Sequence, residues 1–328
     1  MILSLLLAIN GCLVREEIIT IDEKGNGAIN FEIDGEIDNA NPTFALPSDK
    51  NWAIEKNSIK PGKGDQYKVD FKATKAIPAG NDWPSTFADE NTNKVYLDFP
   101  TATRIYKKGN RTFYEFNRRY LARKNYHAET IYNDENDQKL EAKVYDLGLF
   151  NVTAQERDSY LNNLAYKLAY RNWHLFVDVL GVLLKEGKIS IADKRELQKA
   201  AQPVLEKVFD SKIILDVLSD ENKIAHGLGF LDNSSDAAFE KLMSDKYESN
   251  QALIDQFKKY LADQRLAYKI TGELSAQQFS IQLNMPGEIV ETSGAIDPET
   301  PNKIYWIFKG EDLFDREISL YALSVVEN

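Results

Sequence analysis

The chain has a single cysteine, Cys12, in 328 residues, which excludes an internal disulfide framework and any multi-cysteine zinc or iron–sulfur site. Histidine is almost as scarce, with only His127, His174 and His226, so imidazole chemistry has three places to act. No GxSxG elbow, HExxH helix or GxxxxGK[ST] phosphate loop is present. No apolar run reaches the about 20 residues with which a helix crosses roughly 30 Å of hydrocarbon. Positive charge is in deficit: 40 Lys and Arg against 51 Asp and Glu leave a formal charge of -11. A general nucleic-acid binder needs the opposite field to recruit phosphates, so nucleic acid is not an expected partner. The same acidity would keep a tethered domain soluble and off an anionic bilayer surface. Nothing in the chain implies a cofactor or a metal.

What is present begins at the N terminus. Ile2 to Ile9 contain one non-apolar residue, Ser4, and lead into Asn10-Gly11-Cys12. Too short to span a bilayer, the run reads as the apolar core of an export signal. Small Gly11 directly before the cysteine, with Ile9 three places before it, resembles the lipobox of bacterial lipoproteins. In that family the signal is cleaved ahead of the cysteine, whose thiol receives a diacylglycerol and whose new amino group is often acylated too. The resemblance implies lipid attachment at Cys12, the bilayer as a partner, and a place at the bacterial cell envelope facing outside the cytoplasm. Several acyl chains make such attachment effectively stable, since each buried CH₂ contributes about 0.8 kcal/mol.

After this signal of residues 1–12, the chain reads strand-rich over 13–152, helical over 153–268 and strand-rich again over 269–328. EEIITIDEKGNGAINFEIDGEI holds two alternating, β-branched runs around Gly25-Asn26-Gly27, a hairpin whose turn residues accept positive φ. QYKVDFKAT, KVYLDF, RIYKKGNRTFYEFNRRYLA and LEAKVYDLGLF read as further strands. At Thr153 the period changes: Thr153 and Glu156 form a capping box, and an apolar face at helical spacing runs from Tyr160 to Leu184, where Gly187 stops it. Ser190 with Asp193 starts a second helix that carries Pro203 inside it. Two more helical segments lie near Ala237 to Asp245 and Gln251 to Tyr268. From Gln277 the strand pattern returns as QFSIQLN, a Met285-Pro286-Gly287 turn, EIVET, a reversal at Ser293-Gly294, the strand around Trp306 and a closing EISLYALSVV, together read as a meander. The expected fold is α+β, with one antiparallel sheet built from N- and C-terminal strands and a helical insertion, because the early strands would otherwise leave an open edge or unfilled face.

The N-terminal cysteine, the DEKGNG turn and the late MPGEIVETSG, KIYWIF and EISLYALSV blocks together resemble the LppM-like bacterial lipoprotein domain and related exported lipoproteins. The resemblance covers roughly residues 13–38 and 277–326, with the helical region as an insertion. It implies an extracytoplasmic α/β domain, in one branch linked to lipid or glycolipid binding, and brings no catalytic residues.

Three sets of side chains are candidates for a site. Arg119 and Arg123 with Tyr120 and His127 belong to a basic, aromatic-flanked segment; strand alternation separates Arg118 from Arg119 and leaves Arg119 on a face with Asn117 and Arg123. Guanidinium forks there could meet phosphate or carboxylate groups, or could simply neutralise neighbours such as Glu115 and Glu129. His174 and Asp178, four apart on one helix, could form a general-base pair, with His226 in a separate polar loop. Their apolar surroundings also fit an ordinary boundary histidine. The runs Asn133 to Asp137 and Asp232 to Asp236 read as solvated turns or a helix cap, lacking calcium-loop spacing. The expectation is a membrane-anchored lipoprotein that binds a lipid, glycan or envelope-protein partner or packs against other envelope proteins. The alternative is an envelope hydrolase using a histidine–carboxylate site.

Overall fold

The computed structural model describes residues 14–38, 46–47, 50, 52–61, 66–87, 97–125, 135–219, 227–275 and 277–327. It divides into a sheet unit, residues 1–125 with 267–328, and a helical unit, residues 126–266.

The sheet unit contains eleven strands among the described residues: β1 Val14–Ile21, β2 Gly27–Asp38, β3 Ala53–Pro61, β4 Gln66–Ile77, β5 Thr101–Lys108, β6 Arg111–Tyr120, β7 Gln278–Asn284, β8 Glu288–Thr292, β9 Ala295–Ile296, β10 Lys303–Lys309 and β11 Ile318–Glu327. The chain is α+β and mostly antiparallel, and strands from both ends of the chain share each sheet. There are two sheets rather than one: a seven-stranded sheet ordered β3-β4-β2-β1-β7-β10-β9 and a four-stranded sheet ordered β5-β6-β11-β8. The halves of the chain meet where β1 runs parallel to β7, from Val14 opposite Gln278 to Thr20 opposite Asn284.

The second sheet has a physical reason. The helices of the insertion bury their apolar faces in a core of their own, so the inward face of the large sheet, with Ile19, Phe31, Phe71, Phe279 and Ile281, is covered by β6 and β11, bringing Phe116, Tyr120, Leu320 and Ala322. Each fully buried Phe contributes roughly 1.5–3 kcal/mol over leaving it exposed. The closing strands are accordingly not a simple meander. The chain leaves the large sheet after β7, turns at Gly287, and pairs β8 with β11 in the small sheet before returning as β9 and β10. Gly287 has φ 75° and lies so close to Val325 that a Cβ would sit 2.0 Å from its carbonyl oxygen. Gly294 lies against the Trp306 indole, where a Cβ would come within 2.6 Å.

The helical unit comprises α1 Glu135–Leu147, α2 Ala154–Lys185, α3 Ile191–Val208, α4 Ser211–Ser219, α5 Gly227–Lys246 and the first turns of α6, Gln251–Ser275. Both capping boxes form as read, Thr153 with Glu156 and Ser190 with Asp193, and Gly187 follows α2 with φ 68°. Two readings are corrected. LEAKVYDLGLF is a helix up to Leu147, since Leu140, Val144 and Leu147 recur at helical spacing and Lys139 pairs with Glu135 one turn back. Asp232 to Asp236 is no solvated turn but the middle of α5. The unit's centre is aromatic, with Phe176 stacked on Phe239 at 4.4 Å and edge-on to Phe257 at 5.8 Å.

Candidate functional site

In β1 the inward parity is shared by Arg15, Glu17, Ile19 and Ile21, and in β6 by Thr112, Tyr114, Phe116, Arg118 and Tyr120. Two arginines, a glutamate and a tyrosine therefore enter the apolar space between the sheets. Arg15, Arg118 and Tyr120 are 0% exposed and Glu17 1%. Arg118 Nη1 donates to Glu17 Oε2 at 2.6 Å, its Nε donates to Thr101 Oγ1 at 2.8 Å, and the Tyr120 hydroxyl donates to Glu17 Oε1 at 3.0 Å. Aromatic faces receive the cations. The Arg15 guanidinium carbon lies 5.0 Å from the Phe279 centroid and 5.3 Å from those of Phe31 and Phe87, and that of Arg118 lies 4.8 Å from Phe99.

Burial pulls the Arg15 guanidinium below its ordinary value, with Glu17 opposing. At Arg118 burial acts the same way, but the charges and hydrogen bonds of Tyr120 and Glu17 outweigh it and raise the group. Burial, and then the Glu17 charge, push the Tyr120 phenol up. With these atoms shielded from solvent, the arrangement ties β6 of one sheet to β1 of the other rather than presenting groups to a substrate.

A second polar cluster lies inside the helical unit. Arg265 donates to Asp236 at 2.6 Å, to Asp232 at 3.2 Å and to Ser235 at 2.7 Å, Arg171 reaches Asp232 at 2.6 Å, and Ser235 donates to buried Asn172 at 2.8 Å. Burial raises the Asp236 carboxyl against the pull of Arg265. The acidic run visible in the sequence is thus consumed by internal arginines.

The unit's surface carries a groove of about 460 Å³ between α2 and α3. One wall holds Tyr166, Tyr170 and Trp173, a stripe at helical spacing, and the other Gln198, Gln202 and Glu206. Rings facing amides, the Lys199 ammonium and a carboxylate suit a ligand with an apolar face and a polar edge.

The residues singled out from sequence do not converge. Arg119 is half-exposed and stands 3.7 Å from Glu317. Tyr120 is internal. Arg123 lies beyond the end of β6, where Nε donates to Thr271 Oγ1 at 3.1 Å and Nη2 to the Ala267 carbonyl at 2.9 Å. His174 and Asp178 share α2, the imidazole 4.3 Å from the Tyr170 ring and 4.9 Å from that of Trp173, and neither lines the groove. Cys12, His127 and His226 lie outside the described residues. Among the described residues no group of three His, Cys, Asp or Glu could hold a metal ion, and no helix is long and apolar enough to cross a membrane.

No family model matches the chain, and no curated protein matches it. Among solved structures the chain is similar to the NMR structure of the folded domain of LppM from Mycobacterium tuberculosis, with 10% identity over 98% of this chain and 95% of that one and a TM-score of 0.30. At that score the likeness says nothing of ligand or partner.

Proposed function

We propose that this protein is an extracytoplasmic lipoprotein, tethered to the bilayer through acylated Cys12, with a binding role at the cell envelope. The observation that carries the reading is the apolar run closed by Gly11-Cys12, where the cysteine is the only one in the chain. The arrangement of charge supports binding over catalysis: Glu17, Arg118, Asp232, Asp236 and Arg265 satisfy one another internally instead of surrounding a space for a reacting atom. Hydrolysis would need a histidine to meet a nucleophile in a cleft, and His174, the one histidine among the described residues, rests on Tyr170 and Trp173 outside the groove lining. The α2–α3 groove is the surface on which a lipid, glycan or protein ligand would seat. Mass spectrometry of the mature N terminus tests the anchor. Wild type should begin at Cys12 with diacylglycerol attached and fractionate with membranes, and Cys12→Ser should do neither. An unmodified Met1 in the membrane fraction would end the reading.

A further inference from the structure

The three rings of the α2–α3 groove follow one another along a single helix. Tyr166, Tyr170 and Trp173 are four and three residues apart, so they share a face and extend over about 10 Å at 1.5 Å of rise per residue. Of the large apolar side chains of α2, Tyr166 alone is exposed, at 63%, while half-buried Trp173 packs part of its surface on the helical core. His174 touches two of the rings, 4.3 Å from Tyr170 and edge-on to Trp173 at 4.9 Å, and braces both from outside the groove. Aromatic side chains with two χ angles, held in this way, lose little freedom when a ligand lies against them. Ala169 and buried Leu205 also line the groove.

The α3 wall is polar without a net charge. Gln198, Gln202 and Glu206 recur every four residues, Lys199 stands beside them, and Gln202 Nε2 donates to Glu206 Oε1 at 3.5 Å. The amides donate and accept, the ammonium donates and the carboxylate accepts, and the single cation and single anion cancel. An acyl chain laid in the groove would take water from these groups and return no hydrogen bond. An anionic headgroup that met Lys199 would also meet Glu206. The complementary ligand is neutral, with flat CH surfaces for the rings and hydroxyls round its edge for the amides. A hexose whose substituents are all equatorial has that shape, because its C–H bonds point to the two faces and its hydroxyls lie at the rim.

We propose that the α2–α3 groove binds a neutral oligosaccharide of equatorially linked hexoses, with the sugar faces on Tyr166, Tyr170 and Trp173 and the rim hydroxyls on Gln198 and Gln202. The proposal deepens the binding role put forward above and rests on the groove being its ligand surface. The site is built wholly within the helical unit, by residues outside the strands of 13–38 and 277–326.

Purified full chain is titrated by calorimetry and saturation-transfer NMR with cellohexaose and with chitohexaose, both β-1,4-linked and uncharged, and separately with palmitate and with phosphatidylglycerol vesicles. At least one of the two sugars should bind, with saturation reaching its ring CH protons. Tyr166→Ala and Gln202→Ala, both at exposed positions, should keep the helical circular dichroism of wild type and each weaken that sugar at least about fivefold, equivalent to about 1 kcal/mol. Tyr145→Ala, 90% exposed and outside this groove, should bind as wild type does. Neither sugar binding at concentrations up to about 1 mM, the weak end of the affinity scale, would overturn the proposal, as would wild-type sugar affinity in both groove variants. Palmitate or vesicle binding that is lost in Tyr166→Ala, with no sugar bound, would overturn the sugar and leave the groove a lipid site. Acylation of Cys12 plays no part in these titrations, so an unmodified Cys12 in cells defeats the anchor and unbound sugars defeat the glycan.

Discussion

Glu17→Gln tests whether the buried cluster is a charge pair or merely polar filler. The substitution keeps the side chain's size and removes its charge. In the wild type both carboxylate oxygens are occupied, one by Arg118 Nη1 at 2.6 Å and the other by the Tyr120 hydroxyl at 3.0 Å. An amide offers one acceptor oxygen and turns an NH₂ group toward the second donor. Arg118 is 0% exposed, and its Nη2 has no hydrogen-bond partner among the described residues, so no water can replace the lost charge. Breaking one partner of a fully buried pair costs about 3–5 kcal/mol. Urea unfolding should show that loss as a lower midpoint with an unchanged slope. The companion variant Glu17→Leu with Arg118→Met, made on an Arg15→Met background because Arg15 would otherwise stay buried without its Glu17 counter-charge, removes the charges and nearly keeps volume, and it should recover most of the loss because no ion is then left in the apolar space. If Glu17→Gln costs less than about 1 kcal/mol, or the double variant is as unstable as the two single changes added together, the pair does not hold the sheets together.

Gly287→Ala should destabilise the sheet unit by roughly 1–3 kcal/mol, since the residue needs positive φ and its Cβ would strike the Val325 carbonyl; a melting temperature equal to wild type would contradict the sheet-switching turn. Alkaline titration should separate Tyr120 from the other tyrosines. Its raised phenol contributes stability that is complete below the ordinary value of 10.0 and falls as pH rises beyond it, because the unfolded chain ionises first. Tyr120→Phe should remove that part of the alkaline loss, read by urea midpoints across the range. At the acid end, hydrogen bonding from Ser190 and then the pull of Lys246 lower Asp193 from 3.8 to about 2. Its cap on α3 is in full force above pH 4 and weakens as pH falls toward 2, so Asp193→Asn should flatten helical circular dichroism loss between those values, and an unchanged acid profile would count against the cap.

How much of this was legible from sequence depends on how far apart the interacting residues lie. The capping boxes at Thr153 and Ser190 and the Gly25–Gly27 hairpin are local, so their geometry is written within a few residues. The short apolar runs of LEAKVYDLGLF fit two periods, and the helix emerges only when Leu140, Val144 and Leu147 are weighed with the Glu135–Lys139 pair. Asp232 and Asp236 looked like surface groups because their partner Arg265 lies 29 residues or more away. The sheet cluster is the instructive case. VREEIITI reads as a strand with a charged, solvated start, yet its inward parity is fixed by Ile19 and Ile21, and that parity carries Glu17 and Arg15 inside with them. A charge on the buried parity demands a buried counterpart, since an isolated one would be too costly to fold around. Applied to β6, the same count places Arg118 with Phe116 and Tyr120 and leaves Arg119 to solvent. Parity thus turns a basic segment that resembled a ligand surface into one half of an internal ion pair, with its other half in β1.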